Sequence, residues 1–492
     1  MNRNTTLVMF GATGDLAQRK LVPAFFSLCC RRNILEGVGL VGFSRARMTD
    51  DEFRDFLWDA IKAYSVLAMR RDEWERFSKG VFYVSGDVGS AEDAVRLKQR
   101  LEEIEGETRP ANRLFYLAIA PTLFEDDVRN LGAASLTQED TGWRRIVVEK
   151  PFGWDLASAQ RLNQTLLSAF SEKQVFRIDH YLGKETVQNI LTFRFANTIF
   201  EPLWNRTYVD NVQVRASETL GVDGRGGYYD KAGVVRDMVQ NHLLNLLTLV
   251  AMEPPIAADP ETLRDRRADV LRAVRRYAPW EMSENAIRGQ YEGYREEKGV
   301  APDSQTPTFA SMRFFLDNWR WQGVPFYLQT GKALSRKVTQ ITLQFRFPPH
   351  VISRLGPCED LTSNIIAMCI QPDEGIRIRF DAKIPGKIVC MQPVDMEFHY
   401  DPLFGDYGVP EAYERLLEDV IDGDATLFMP SDYIEEAWAI VDPLLKLWEG
   451  PSPVPLHTYK PGSWGPDAAQ AMLAKDGRTW LLVCGEHGIE HV

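Results

Sequence analysis

The sequence predicts two domains of different class: an N-terminal α/β domain over residues 1–178, built on a parallel sheet, and a larger α+β domain over residues 179–492 with a mostly antiparallel sheet. Three observations lead there. At 492 residues the chain is too long for one compact core, because domains usually stop growing at roughly 250 residues. The first third alternates short apolar runs with helical stretches, as a parallel sheet with crossover helices does. After residue 178 that alternation gives way to period-2 runs, the pattern of strands with one buried face.

Taken in order, residues 6–10, 38–43, 81–85, 113–119 and 145–149 read as buried strands, and residues 15–32 as the first crossover helix. The apolar-alternating stretch 175–178 is the last strand before the pattern changes. Beyond it, 184–199 and the strongly apolar 234–252 read as helices and 212–216 and 339–347 as strands, while 364–383 reads as a hairpin turning at Asp373-Glu374-Gly375. Charged and Pro-rich stretches at 253–303 and 450–466 read as connections or peripheral helices. No internal repeat or low-complexity tract interrupts them.

The composition, 45% hydrophobic and 26% charged, is that of an ordinary globular chain. A net charge of −12 argues against nucleic acid and anionic membrane as partners, since both need a basic face. An anionic ligand would therefore need a local cationic cluster. The six cysteines (Cys29, Cys30, Cys358, Cys369, Cys390, Cys484) form no CxxC pair and no dense spacing, which suggests neither a zinc site nor a disulfide framework and fits a reducing cytoplasm. The apolar stretch at residues 7–10 is too short for a signal sequence or a membrane span, so no export is expected.

Gly11-Ala12-Thr13-Gly14-Asp15-Leu16-Ala17 follows a strand and opens a helix, the context of a Rossmann-like dinucleotide turn in a G-x-x-G-x-x-A variant. Gly14 would admit the pyrophosphate, Ala17 would let helix pack on strand, and the helix N-terminus would offer unpaired N–H groups. A ligand-free tight turn would use the same glycines. The next strand ends in Ser44-Arg45-Ala46-Arg47 with no acid before Asp50. An acid there would suit the ribose hydroxyl of NAD; an arginine suits the 2′-phosphate of NADP, and Arg45 is the better placed of the two. The alternative for both arginines is a solvated surface charge.

Glu149-Lys150-Pro151-Phe152-Gly153 closes a buried strand at the carboxyl edge of the sheet, where ligands bind in open α/β folds, so Lys150 is a candidate for the cleft as well as for the surface. Asp179-His180-Tyr181-Leu182-Gly183-Lys184 gathers three donors at a helix N-terminus, a phosphate site with Lys184 as point charge and His180 and Tyr181 as donors, or else a structural His–Asp pair. Within the apolar helix 234–252, Asp237 and Asn241 share a face at i and i+4, and His242 lies beside it. Polar groups in so apolar a helix need partners, either core hydrogen bonds or a cavity in which His242 is a general base.

Together these motifs resemble the glucose-6-phosphate dehydrogenase family along essentially the whole chain: GATGDLAQRKL at 11–21, GFSR at 42–45, NRLFYLAIAPT at 112–122, EKPFG at 149–153 and RIDHYLGKE at 177–185. The likeness continues in RFANTIFEPLWNR at 194–206, GRGGYYDKAGVVRDMVQNHLLNLLTLVAMEPP at 224–255, VPFYLQTGKAL at 324–334 and YKPGSWGP at 459–466. It implies that His242 takes the proton from the carbon-1 hydroxyl of glucose 6-phosphate, with Asp179 as its carboxylate partner. The implied product is 6-phospho-glucono-1,5-lactone, the first oxidative step of the pentose phosphate pathway.

By the same resemblance His180, Tyr181 and Lys184 hold the phosphate, Lys150 touches substrate and cofactor, Glu218, Asp237 and Lys332 bind sugar hydroxyls, and Lys337 is a second basic contact beside Arg336. Gly11, Ala12, Thr13, Gly14, Asp15, Leu16, Ala17 and Gln18 form the cofactor turn, Arg45 meets the 2′-phosphate, and Asp87 and Val88 border the adenine. Ala46 and Phe124 depart from residues found in some members, which leaves NAD as a weaker alternative to NADP. Hydride transfer needs no metal, and a homodimer or homotetramer is the implied assembly. The rival readings are a dehydrogenase of another hexose phosphate or a free sugar, which would need a changed phosphate trio, and a non-catalytic NADP and sugar-phosphate sensor, which need not keep His242, Asp179 and Lys150 together.

Overall fold

A computed structural model describes residues 5–65, 70–106, 111–140, 142–349, 362–386, 391–400, 411–450, 454–485 and 490–491. They divide into two compact units: Met1–Gly183 with Ile256–Arg264 and Pro410–Glu435, and Lys184–Pro255 with Asp265–Val409 and Glu436–Val492. The first unit thus takes in two later segments that hydrophobic periodicity could not assign to it. Each joins through side chains: Arg264 pairs with Glu172 at 3.3 Å, and Arg145 Nη1 donates to the carbonyls of Val420 and Ile421 at 2.6 and 2.7 Å.

The first unit holds six parallel strands: β1 (Thr5–Phe10), β2 (Val38–Ser44), β3 (Val81–Ser85), β4 (Asn112–Leu117), β5 (Arg144–Val148) and β6 (Val175–Arg177). Their order, β3-β2-β1-β4-β5-β6, is that of a doubly wound dinucleotide fold. Every residue of β1 and β4 is buried, and their carboxyl-terminal halves, residues 7–10 and 114–117, read as unbroken apolar runs. The order reverses between β1 and β4, so Phe10 and Leu117 end side by side and open a crevice at their carboxyl ends.

The second unit is built on nine strands: β7 (Val209–Ser217), β8 (Ala286–Tyr291), β9 (Phe309–Phe315), β10 (Pro325–Gly331), β11 (Val338–Phe345), β12 (Ile365–Gln371), β13 (Gly375–Lys383), β14 (Met391–His399) and β15 (Leu456–Tyr459). Their order is β14-β13-β12-β11-β7-β10-β9-β8-β15, antiparallel except at β7–β10 and β8–β15. Ser217 pairs with both Gly331 and Val338. The residues just outside those ends, Glu218, Lys332 and Lys337, therefore leave the sheet at one end.

Two strands were hidden in stretches expected to be connections or helices. β8 carries Arg288 and Gln290 on a buried strand, so it lacks an apolar alternation, and β15 is only four residues long in a Pro-rich segment. The helix expected over 184–199 stops at Phe195, where the Asn197 amide donates to the carbonyls of Thr192 and Phe193 at 3.3 and 3.2 Å and closes the last turn.

The cysteines also depart from expectation. Cys369 of β12 and Cys484 are disulfide-bonded across 115 residues of sequence, packed with Val338, Leu482 and Trp464, while Cys29 and Cys30 are free. No spacing rule reveals a single bridge of that reach, because only sheet packing brings its ends together. Cys358 and Cys390 lie outside the described residues. Cys484→Ser is expected to lower the free energy of unfolding by about 2–4 kcal/mol in oxidising buffer, measured by urea titration, and by under about 0.5 kcal/mol in dithiothreitol. An equal loss in both buffers would assign the effect to packing and not to the covalent link.

Candidate active site

In the first unit the glycine turn is shaped by contact with the neighbouring strand. Gly11 has φ +75°, its N–H donates to Phe43 O at 2.8 Å, and a Cβ there would lie 2.2 Å from Ala118 O. Gly11, more than Gly14, is thus the position that tolerates no side chain. Thr13 Oγ1 meets Ser44 Oγ at 3.0 Å and Gln18 Nε2 donates to Thr13 O at 3.0 Å, which ties the turn to the end of β2. Asp15 is exposed and pairs with Arg19 at 2.6 Å.

Arg45 and Arg47 are exposed just beyond β2, with no carboxylate partner among the described residues. Their loop is held from both sides. Tyr83 OH donates to Ala46 O at 2.8 Å, and Thr49 caps the helix Asp50–Tyr64 in a reciprocal box with Glu52. Asp87 is exposed but accepts from Gly89 N at 2.9 Å, so its carboxylate serves its own turn. Val88 is buried, and its carbonyl accepts from Asn130 Nδ2 at 2.7 Å.

At the carboxyl end of β5, Glu149 is buried beside the half-buried Lys150, whose bond to Pro151 is cis. Tyr116 OH donates to Glu149 Oε1 at 2.6 Å, and Tyr413 bonds the same carboxyl. Burial is the dominant influence and lifts the Glu149 carboxyl from the usual 4.5 to about 7, against the Tyr116 bond and the Lys150 charge, with nearby Asp179 adding to the rise. Asp179 is 1% exposed, and its Oδ1 accepts from Tyr181 N at 2.9 Å. The His180 ring lies edge-on to Tyr181 at 5.2 Å and parallel to Tyr413 at 6.3 Å. Gly183 closes this turn, since a Cβ there would lie 2.7 Å from Ala412 O.

In the second unit the polar helix residues fall in a π-helical segment, Val235–Leu243, continued by the α-helix Leu244–Ala251. In a π-helix the backbone hydrogen bonds run between residues i and i+5, so His242 turns closer to the face of Asp237 than an α-helix would place it. His242 is 1% exposed. Asn241 bonds within its own helix: its Oδ1 accepts from His242 N at 2.6 Å and its Nδ2 donates to Arg236 O at 3.1 Å.

Lys332, 5% exposed, is the centre of a charged cluster. Its Nζ bonds the Glu218 carboxylate and lies 3.4 Å from Asp237, with the Tyr229 ring centroid at 5.4 Å. Three predicted sugar contacts are thereby brought together. Lys184 Nζ donates to Gln371 Oε1 at 2.8 Å, and Gln371 Nε2 donates to Thr339 Oγ1 at 2.9 Å. Lys337 is exposed at the same sheet end, with no carboxylate partner among the described residues. Gln371, Tyr413 and Tyr229 had escaped the sequence reading. The first two meet their partners across 187 and 233 residues (371 − 184 and 413 − 180), and Tyr229 is one tyrosine of a Tyr-Tyr pair with no periodicity to single it out.

Comparison with known proteins covers nearly the whole chain. Residues 8–189 match the family model "Glucose-6-phosphate dehydrogenase, NAD binding domain" and residues 191–481 match "Glucose-6-phosphate dehydrogenase, C-terminal domain". The chain is 42% identical over 487 residues to a glucose-6-phosphate 1-dehydrogenase of Rhizobium meliloti (strain 1021), covering 96% of both chains. It is 41% identical over 486 residues to glucose-6-phosphate 1-dehydrogenase 2 of Mycobacterium tuberculosis (strain ATCC 25618 / H37Rv), covering 96% of this chain and 94% of that one. Among solved structures, a glucose-6-phosphate dehydrogenase in complex with its substrate glucose 6-phosphate aligns with TM-score 0.89 and 36% identity over 97% of this chain and 98% of that one. The enzyme from Mycobacterium avium aligns with TM-score 0.84 and 37% identity over 98% and 100%.

The Glu149 environment carries a pH signature. The unfolded carboxyl releases its proton near 4.5 and the folded one near 7, so between those values the folded state binds more protons and stability falls as pH rises, levelling off above the window. Glu149→Gln is expected to remove a decline of roughly 3 kcal/mol, read from chemical unfolding at pH 5 and pH 8. An unchanged slope in the variant would place the titration elsewhere.

Proposed function

The chain belongs to the glucose-6-phosphate dehydrogenase family, and from that premise we propose that it oxidises glucose 6-phosphate at carbon 1 to 6-phospho-glucono-1,5-lactone, the first oxidative step of the pentose phosphate pathway. It is an oxidoreductase with a nicotinamide cofactor. The observation that carries the substrate is the buried Lys332 shared by Glu218 and Asp237, one turn of π-helix from His242. Such a cluster offers a charged donor and two carboxylate acceptors, which is what a ring of sugar hydroxyls requires.

His242 is the base that removes the proton from the carbon-1 hydroxyl, and Asp179 orients its imidazole and stabilises the protonated form. Lys184, His180 and Tyr181 take the phosphate, with Gln371 steering the Lys184 ammonium at 2.8 Å. Lys150 and Lys337 add positive charge near the reacting sugar and its phosphate.

The first unit's residues fit NADP. The Gly11 cradle leaves room for backbone approach only, and Arg45 is a cation with no acidic partner among the described residues, where an NAD enzyme would carry an acid. Residues 11–18 would hold the pyrophosphate, Arg45 the 2′-phosphate and Val88 the adenine edge, with Asp87 nearby. The bound nicotinamide supplies the hydride acceptor. No metal is assigned a step. We place the protein in the cytoplasm as a homodimer or homotetramer, a reading that rests on the family to which the chain belongs.

His242→Asn should lose about 10²–10⁴-fold or more in turnover with glucose 6-phosphate and NADP while retaining substrate binding, followed by NADPH absorbance and by calorimetry. Near wild-type turnover would remove His242 from the mechanism. In Arg45→Ala the KM for NADP should rise more than about tenfold with little change for NAD. Equal weakening of both cofactors would mean that Arg45 does not read the 2′-phosphate.

A further inference from the structure

A cavity of about 410 Å³ lies in the second unit at the start of the helix that carries Asp237 and His242. Gly233, Val235 and Arg236 form part of its wall, so it begins within one turn of Asp237. Gly233 marks a kink, with φ +66° and ψ 169°, and a Cβ there would lie 3.3 Å from Thr306 Cγ2 on the same wall. The volume falls in the range of small-ligand sites, roughly 300–1,000 Å³. None of these features is used by the proposed reaction.

The charges of the wall do not cancel. Its carboxylates, Asp230 and Glu449, are both committed: Glu449 pairs with Arg236 at 2.7 Å, and Asp230 accepts from Tyr294 OH at 3.0 Å, from Ala301 N at 3.1 Å and from the Ser304 hydroxyl. Two cations remain. Lys231 is exposed and Arg288 is 5% exposed, and neither has a carboxylate at ion-pair distance among the described residues. Arg288 donates Nη1 to Trp448 O at 2.7 Å and Nη2 to Val454 O at 2.8 Å, which leaves its Nε–H without an acceptor. The indole N–H of Trp448, a residue 4% exposed, is likewise unpaired. A buried guanidinium with no counter-charge is costly, and burial holds Arg288 below its usual range. The wall therefore offers uncommitted donors and positive charge, and no uncommitted carboxylate.

We infer that this cavity is a second binding site, separate from the sugar-phosphate site, for a small oxyanion of the carboxylate or phosphate class held between Lys231 and Arg288. Trp448 and Arg288, whose unpaired N–H groups are closed to solvent, are both wall residues, and an oxyanion in the cavity supplies the counter-charge that the buried Arg288 guanidinium lacks. Arg236, paired with Glu449 across this wall, immediately precedes Asp237, so occupancy acts on the sugar site through the helix backbone.

Calorimetric titration of the full chain with inorganic phosphate, and separately with malonate, tests the site. Two classes of phosphate site are expected, one removed by Lys184→Gln and the other weakened at least about tenfold by Lys231→Gln and by Arg288→Gln. Lys231→Gln, at an exposed position, keeps the test independent of any folding defect in the Arg288 variant. Tighter malonate than phosphate binding at the second class would identify a carboxylate ligand, and the reverse a phosphate. A single class lost in Lys184→Gln, a second class indifferent to Lys231→Gln, or no second class with either anion would overturn the inference. The first class alone reports on the sugar-phosphate site, so the two readings fail separately.

Discussion

A lysine that is 5% exposed cannot remain charged without negative partners, and the second unit is arranged around supplying them to Lys332. Glu218 comes from the end of β7, Asp237 from the π-helical segment, and Lys332 itself from the end of β10. Two devices hold the three contributors: strand register for Glu218 and Lys332, helix packing for Asp237. The pairing of Ser217 with both Gly331 and Val338 sets the ends of three strands level. A register slip of one residue would turn Glu218 or Lys332 to the opposite face and break their pair.

The π-helical segment meets a related need. It sets His242 one π-helical hydrogen-bond step, five residues, after Asp237, while Asn241 spends its amide on the backbone of its own helix. Segments of this kind cost hydrogen-bond geometry and recur at functional sites. Here the segment is followed at once by an apolar α-helix, Leu244–Ala251, in which every residue is buried. Its packing anchors the less regular turn before it.

The first unit presents the opposite case, since its proposed cofactor contacts are backbone and exposed arginine more than buried charge. Gly11 is pressed against Ala118 at the point where strand order reverses, and Arg45 leaves a loop tied by Tyr83 and Thr49. Glu149, one of the buried acids of this unit, has its carboxyl lifted to about 7 by burial, with Tyr116 and Tyr413 as hydrogen-bond partners. The charge of nearby Asp179 adds to that rise, because two carboxylates in one buried place disfavour each other's ionisation.

Much of this was legible in the chain itself. The glycine turn, the arginine after β2, the DHYLGK and RDMVQNH motifs and the apolar strand runs depend on neighbours only a few residues away, and local periodicity reports such features well. Strands β8 and β15 were missed because a buried Arg288 and a four-residue length erase the periodic signal. Gln371 beside Lys184, Tyr413 beside His180, the Cys369–Cys484 bridge and the unmatched Arg288 were likewise beyond reach. In sum of causes, the sequence by itself determined which chemical groups the protein carries and the kind of fold that presents them. Only the tertiary structure decided which of those groups meet, because sheet register and helix packing bring together residues whose separation along the chain leaves no local trace.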